Sequence, residues 1–296
     1  MTTWETPPGL GAAYRACRDV HRRHGRTYYL ATTLLPRERR PHVWALYAFA
    51  RTADDLVDHP REDPAVALPA WRDVALTVLG GATAPPAGGD PVLAATWHTR
   101  TALGLDLRLF EDFLASMIMD LTVTRYASWE ELRRYMRGSA AVIGEMMAPL
   151  LGAADPGALR PAGALGEAFQ FTNFVRDVAE DLRRGRVYLP EEDLAAHGVR
   201  VADLARSAAQ RAPTPAVRGL VAAQTQRGLD LYDLARPGLG LVDARSRACL
   251  EVAFTLYREI LVEVERHGFN VFDGRIRVSR AARAAAVARS ASARRR

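Results

Sequence analysis

Two short segments carry carboxylates at the spacing of one helical turn. The first reads Tyr47-Ala-Phe-Ala-Arg51-Thr-Ala-Asp54-Asp55-Leu-Val-Asp58. Asp54 and Asp58 are four apart, so a helix places both on one face, and Arg51 and Tyr47 continue that stripe backwards. The second reads Phe169-Gln170-Phe-Thr-Asn173-Phe-Val-Arg176-Asp177-Val-Ala-Glu180-Asp181. Here Asn173, Asp177 and Asp181 form a ladder at i, i+4 and i+8, with Gln170 three residues before Asn173. Like charges at this spacing repel, which weakens a helix unless a cation neutralises them. Two such stripes facing each other would form an oxygen-rich site for a hard cation. Magnesium suits it, because that ion keeps several waters and bridges carboxylates to substrate phosphates. One Asp-x-x-x-Asp by itself reads better as a solvated face. Two copies, each in an otherwise apolar helix with arginine and amide groups beside it, favour a site.

The elements that must position these stripes are helices. Apolar residues recur at three- and four-residue spacing over 40–57, 105–119, 128–151, 164–182, 216–234 and 242–265. Gly- and Pro-rich stretches at 80–89, 152–161, 213–215 and 237–238 separate them, and alternating β-branched runs are essentially absent. The pattern predicts one all-α domain of about ten helices over residues 1–280, followed by an Arg/Ala-rich tail, 281–296, read as disordered.

Composition narrows the chemistry further. Of 296 residues 49% are hydrophobic and 25% charged, an ordinary globular balance. All 40 basic residues are arginine, so Schiff-base lysines and the P-loop lysine are excluded. The net charge of +6 is local: residues 275–296 hold eight arginines and no acid, leaving 32 basic and 34 acidic side chains before them. A nucleic-acid partner for the body is therefore not expected. Two distant cysteines give neither a zinc framework nor a disulfide scaffold and fit a cytoplasmic protein. No apolar run is long enough to span a bilayer, and peripheral membrane contact is assigned only to the arginine-rich tail. No strand precedes a Gly-x-Gly-x-x-Gly, so NADPH is not expected. His21 and His24, three apart without a third ligand, read as a solvated helix face.

Beyond the two aspartate segments, several further stretches resemble the squalene/phytoene synthase family, most closely its bacterial phytoene synthases. They are His24-Gly-Arg-Thr-Tyr28-Tyr29-Leu-Ala-Thr, Gly138-Ser-Ala-Ala-Val-Ile-Gly144, Arg186-Val-Tyr-Leu-Pro190, Ala253-Phe-Thr-Leu-Tyr257 and Asn270-Val-Phe-Asp-Gly-Arg275. In order and spacing the likeness covers roughly residues 10 to 280. It implies an isoprenoid synthase helical bundle with a central apolar tunnel. The activity implied is Mg2+-dependent head-to-head condensation of two allylic prenyl diphosphates, geranylgeranyl diphosphate giving phytoene through a cyclopropyl diphosphate. It also implies two or three Mg2+ ions, with Mn2+ as a substitute, on Asp54, Asp58, Asn173, Asp177 and Asp181. Tyr28, Tyr47, Arg51, Gln170, Asn173, Arg176, Arg186, Tyr188, Tyr257 and Arg275 match positions that contact substrate.

One departure stands out. Seven residues before Gly144, where the family usually carries a tyrosine at the reaction centre, this chain has Arg137, and Tyr135 would lie on another face of a regular helix. Glu145 is likewise unusual for a tunnel wall. Arg137 reads either as a surface residue or a further diphosphate contact, or, in the sharper reading, as a candidate catalytic residue at an altered acceptor site. With Glu145 it motivates a second reading, in which a prenyl group is transferred to an aromatic or other small-molecule acceptor. A non-catalytic helical scaffold is the third, disfavoured because it has no reason to keep paired repulsive carboxylates.

Overall fold

The computed structural model describes residues 4–86, 88–153, 155–279 and 281–286. Its helices are α1 (Gly11–His24), α2 (Arg26–Thr32), α3 (Arg40–Asp58), α4 (Pro64–Gly80), α5 (Pro91–Leu103), α6 (Leu107–Met119) and α7 (Trp129–Met136). A π-helical turn (Arg137–Ala141) leads into α8 (Val142–Leu150), then α9 (Leu159–Arg176), α10 (Val178–Arg183), α11 (Glu191–Ala196), α12 (Val201–Gln210), α13 (Pro215–Ala235) and α14 (Ala244–Arg266). The only extended pairing among the described residues is one isolated bridge between Arg125 and Val187. The all-α reading holds, with more and shorter helices than the periodicity suggested.

Local chemistry sets many of the boundaries. Asp63, Asp90 and Thr214 each accept a backbone N–H at a helix start and are followed by proline in the first turn. The cap satisfies a donor that has no intrahelical partner, and proline gives up a donor that would otherwise be orphaned. Two expected single helices are interrupted. The 128–151 stretch contains the π-helical turn, and the 164–182 stretch breaks at Asp177 (φ −101°, ψ 15°).

At the centre lies α9, which packs against α13, α8, the π-helical turn and α14, while α3 packs on α1 and α5. Burial on several sides explains why α9 shows no clean apolar stripe. Glycines let it approach its neighbours closely. A Cβ at Gly166 would stand 2.2 Å from the Ala140 carbonyl oxygen, and one at Gly144 2.0 Å from that of Ala162.

Past the expected boundary at 280, residues 281–286 are helical and Ala286 is buried in the core. The disordered tail thus does not start at 281; the rest of it lies outside the described residues. Among the described residues no helix is long and apolar enough to cross a membrane.

Candidate active site

A cavity of about 590 Å³ runs between the central helices. Thirteen of the fifteen site residues expected from sequence line it: Tyr28, Tyr47, Arg51, Asp54, Asp58, Gln170, Asn173, Arg176, Asp177, Asp181, Arg186, Tyr188 and Arg275. Tyr257 stands behind the wall, stacked on Tyr28 with ring centroids 4.7 Å apart and against Phe169 at 4.6 Å. Arg137 does not reach the cavity.

The two acidic stripes face each other, tied by arginines distant in sequence. Arg184 donates to Asp58 Oδ2 at 2.6 Å and Arg186 to Asp58 Oδ1 at 2.9 Å, linking α3 to the chain at the end of α10. Across the site Asp177 accepts from Arg176 Nε at 2.8 Å and from Arg275 at 3.1 Å. Arg51 pairs with Asp55, which lies off the stripe, and stays 3.7 Å from Asp54.

Asp54 and Asp181 have no arginine at hydrogen-bond distance among the described residues. Water reaches Asp54 within the cavity, where its side chain is 51% exposed. Enclosure by the surrounding protein, and then the charge of Asp58, lift its carboxyl to about 6. Burial, followed by the charges of Asp177 and Glu180, lifts Asp181 to about 7. Both shifts mark a site short of positive charge, and every donor in it is an oxygen. That donor set fits a hard divalent cation. Among the described residues no three acidic or histidine side chains already converge on one point. The arginines hold Asp58 and Asp177 instead.

Away from this polar end the wall is apolar. Phe113, Met117, Ile143, Met147, Leu165 and Phe169 lie along it, and Tyr188 packs flat on Phe174 at 3.9 Å. Such a chamber can hold isoprenoid chains while the charged end grips a diphosphate.

The site also contains groups that sequence reasoning missed. Tyr135 is 2% exposed, lines the cavity, and donates from its hydroxyl to Asp120 Oδ2 at 2.9 Å. Asp120, the residue after α6, is pushed up to about 7 by burial, against the opposing pull of the Tyr135 hydroxyl and Arg186. Its signal in the sequence was an acid placed directly after the apolar run Met117-Ile118-Met119. Tyr135 was set aside in favour of position 137, but the cavity-facing stripe runs Tyr135, Ser139, Ile143, Met147, Leu151. Arg137 falls between those positions and turns outward, its two guanidinium nitrogens donating to Glu145 at 2.6 and 3.0 Å. A candidate reaction-centre role for Arg137 is therefore corrected: it is a half-exposed ion pair outside the cavity. His21 is also corrected. It is 0% exposed and lines the cavity rather than a solvated face.

The profile of the squalene/phytoene synthase family matches residues 21–282. The chain belongs to the squalene/phytoene synthase family. Phytoene synthase of Arthrospira platensis is 34% identical over 285 residues, covering 91% of this chain and 89% of that protein. The 15-cis-phytoene synthase of Synechococcus elongatus is 32% identical over 277 residues, covering 89% and 87%. In three dimensions this family member resembles a dehydrosqualene synthase solved with a ligand, at a TM-score of 0.87, 27% identity and coverage of 96% and 97%. Squalene synthase HpnC from Alicyclobacillus acidocaldarius aligns at 0.80, with 29% identity over 90% of this chain and 97% of that one.

Proposed function

We propose that this cavity joins two geranylgeranyl diphosphates head to head, through a cyclopropyl diphosphate, to give phytoene. Prenyl transfer by head-to-head condensation follows from family membership. The C20 substrate, the phytoene product and Mg2+ are the proposal. One observation carries it: carboxylates from two facing helices and five arginines meet at one end of an otherwise apolar chamber.

Asp54, Asp58, Asp177 and Asp181, with the Asn173 amide, would hold Mg2+, which supplies charge neutralisation for the departing diphosphate. Arg51, Arg176, Arg186 and Arg275 present guanidinium forks to diphosphate oxygens, a planar two-point contact that lysine cannot make. These arginines rest on carboxylates, so substrate would exchange one anionic partner for another. Tyr28 and Phe169, backed by Tyr257, give the chamber an aromatic wall, which suits a carbocation better than water does. Transfer to a different small-molecule acceptor loses its motive, because Arg137 and Glu145 lie outside the cavity wall.

The test is incubation of the purified protein with Mg2+ and geranylgeranyl diphosphate, followed by extraction of products. Phytoene and the cyclopropyl diphosphate should form, chelation should stop both, and added Mg2+ should restore them, with Mn2+ as a weaker substitute. Diphosphate release without a coupled hydrocarbon would refute the reading.

A further inference from the structure

Arg184, the residue after α10, lines the cavity together with the four arginines assigned above to the diphosphate. Gly185, at φ +76°, reverses the chain here, and the N–H of Arg186 returns to the Asp181 carbonyl at 2.9 Å. The left-handed turn, open to glycine without strain, lets two arginines two positions apart approach one carboxylate. Arg184 donates to Asp58 Oδ2 at 2.6 Å and Arg186 to Asp58 Oδ1 at 2.9 Å, so each oxygen of Asp58 carries a guanidinium. The second arm of Arg184 donates to Glu180 Oε1 at 3.0 Å.

A carboxylate with a cation on both oxygens cannot ligate a dication until one of them leaves, because the incoming charge meets a like charge at contact distance. The two arginines differ in how easily they leave. Arg186 is 15% exposed, and its other arm reaches the Asp120 carbonyl at 3.4 Å. Parting it from Asp58 would strand a largely buried charge. Arg184 is 37% exposed, and on release it keeps Glu180 as a partner. Exposed pairs of that kind hold weakly. The opposite stripe repeats the arrangement: Asp177 is held by the buried Arg176 and by Arg275, which is 52% exposed. Each stripe has one fixed guanidinium and one loose one.

We propose that Arg184 is a placeholder for the cation at Asp58 and makes metal binding conditional on diphosphate. This inference rests on the reading of the site as a metal and diphosphate centre. On Asp58 Oδ2 the guanidinium occupies the place that a metal needs on that carboxylate. Loading metal alone expels Arg184 with no anion to receive it beyond Glu180. Loading metal with diphosphate supplies that anion, and Arg184 exchanges Asp58 for phosphate oxygens at the same end of the cavity. No covalent bond changes; only ion pairs exchange partners. Metal and diphosphate then bind as a unit, each raising the affinity of the other by the same factor.

The test compares wild type, Arg184→Gln and Arg184→Lys for binding of Mn2+, whose electron paramagnetic resonance signal separates bound from free ion. Each is titrated alone and with saturating geranylgeranyl thiolodiphosphate, an analogue whose bridging sulfur resists ionisation. Arg184→Gln should bind Mn2+ alone about tenfold more tightly than wild type, and the gain in Mn2+ affinity from the analogue should shrink by about the same factor. Arg184→Lys keeps the charge and should bind Mn2+ alone within about threefold of wild type. Circular dichroism and melting confirm the fold of each variant. Equal or weaker binding of Mn2+ alone by Arg184→Gln overturns the proposal, since Arg184 would then only brace the site. A gain from the analogue that survives unchanged in Arg184→Gln overturns it too, as does a lysine variant that behaves like glutamine. If wild type makes no phytoene, the condensation reading falls and the Mn2+ comparison still decides on Arg184. A wild type that binds Mn2+ under neither condition removes the metal reading and the placeholder with it.

Discussion

Gly166→Ala probes the crossing on which the whole site depends. Gly166 lies on α9 four residues before Gln170 and seven before Asn173, on the face that lines the cavity. A Cβ added there would sit 2.2 Å from the Ala140 oxygen, 2.9 Å from its carbonyl carbon and 3.3 Å from Ala141 Cα. An ordinary carbon–oxygen contact is about 3.3 Å, so α9 and the π-helical turn must part by roughly 1 Å. The obstacle is backbone, which cannot swing aside as a flexible side chain would. Overpacking of this kind costs about 1–3 kcal/mol, offset by about 1 kcal/mol because alanine favours a helix over glycine. A net loss of up to about 2 kcal/mol should lower Tm by up to several degrees in a chain of this size. The effect on turnover should be larger. The same 1 Å separates Gln170 and Asn173 from Tyr135 and Ser139, and a misplacement of that size costs about 100-fold in rate. Gly219→Ala is the control, since a Cβ there meets only His197 Cδ2 at an ordinary 3.7 Å. It should be neutral or stabilising by up to about 1 kcal/mol. Calorimetry and initial rates at 25 °C, well below either Tm, separate the two effects. If Gly166→Ala kept both Tm and kcat, the close crossing would be wrong.

Three further outcomes follow from the same geometry. Arg137→Ala removes a half-exposed ion pair and should change stability by no more than about 1 kcal/mol and turnover by no more than about twofold; a tenfold loss would return Arg137 to the site. Asp177→Asn keeps the size of the side chain but weakens its hold on Arg176 and Arg275 and on a cation, so turnover should fall at least about 100-fold with the fold retained. Acid should destabilise the protein through its buried histidines. Burial, helped for His42 by the neighbouring His98, holds His21 and His42 near 4 when folded, against an ordinary 6.5. The unfolded chain therefore binds more protons between those values. The stabilisation is complete above about pH 6.5 and is lost as pH falls toward 4, by about 3 kcal/mol per histidine at most. Asp54, Asp120 and Asp181, raised in the folded state, contribute with the opposite sign. The clean readout is the difference between wild type and His42→Asn in urea unfolding at pH 7.5 and pH 5. Equal pH dependence in the two would contradict the buried neutral ring.

What the sequence determined by itself is whatever depends on neighbours within one or two helical turns. The spacing of Asp54 and Asp58, the ladder from Gln170 to Asp181 and the all-α class are of this kind, because a helix converts sequence separation directly into direction. The motif likeness extended that reach to Arg186 and Arg275, which periodicity does not connect to either stripe. Tertiary structure decided the rest. Arg184 and Arg186 bind Asp58 across more than 120 residues, and no local rule pairs them. The face shown by Tyr135 and Arg137 depended on a π-helical turn and on which neighbours covered it, so reading 128–151 as one regular helix assigned the wrong residue to the cavity. His21 was misread for a related reason. Its helix looks polar in sequence, and only the packing of Gly25 and Tyr47 against it reveals a dry pocket around the ring. Charges told the same story: of the four acids counted as repelling neighbours, Asp58 and Asp177 turned out to be held by Arg184, Arg186 and Arg275, which only the fold brings near.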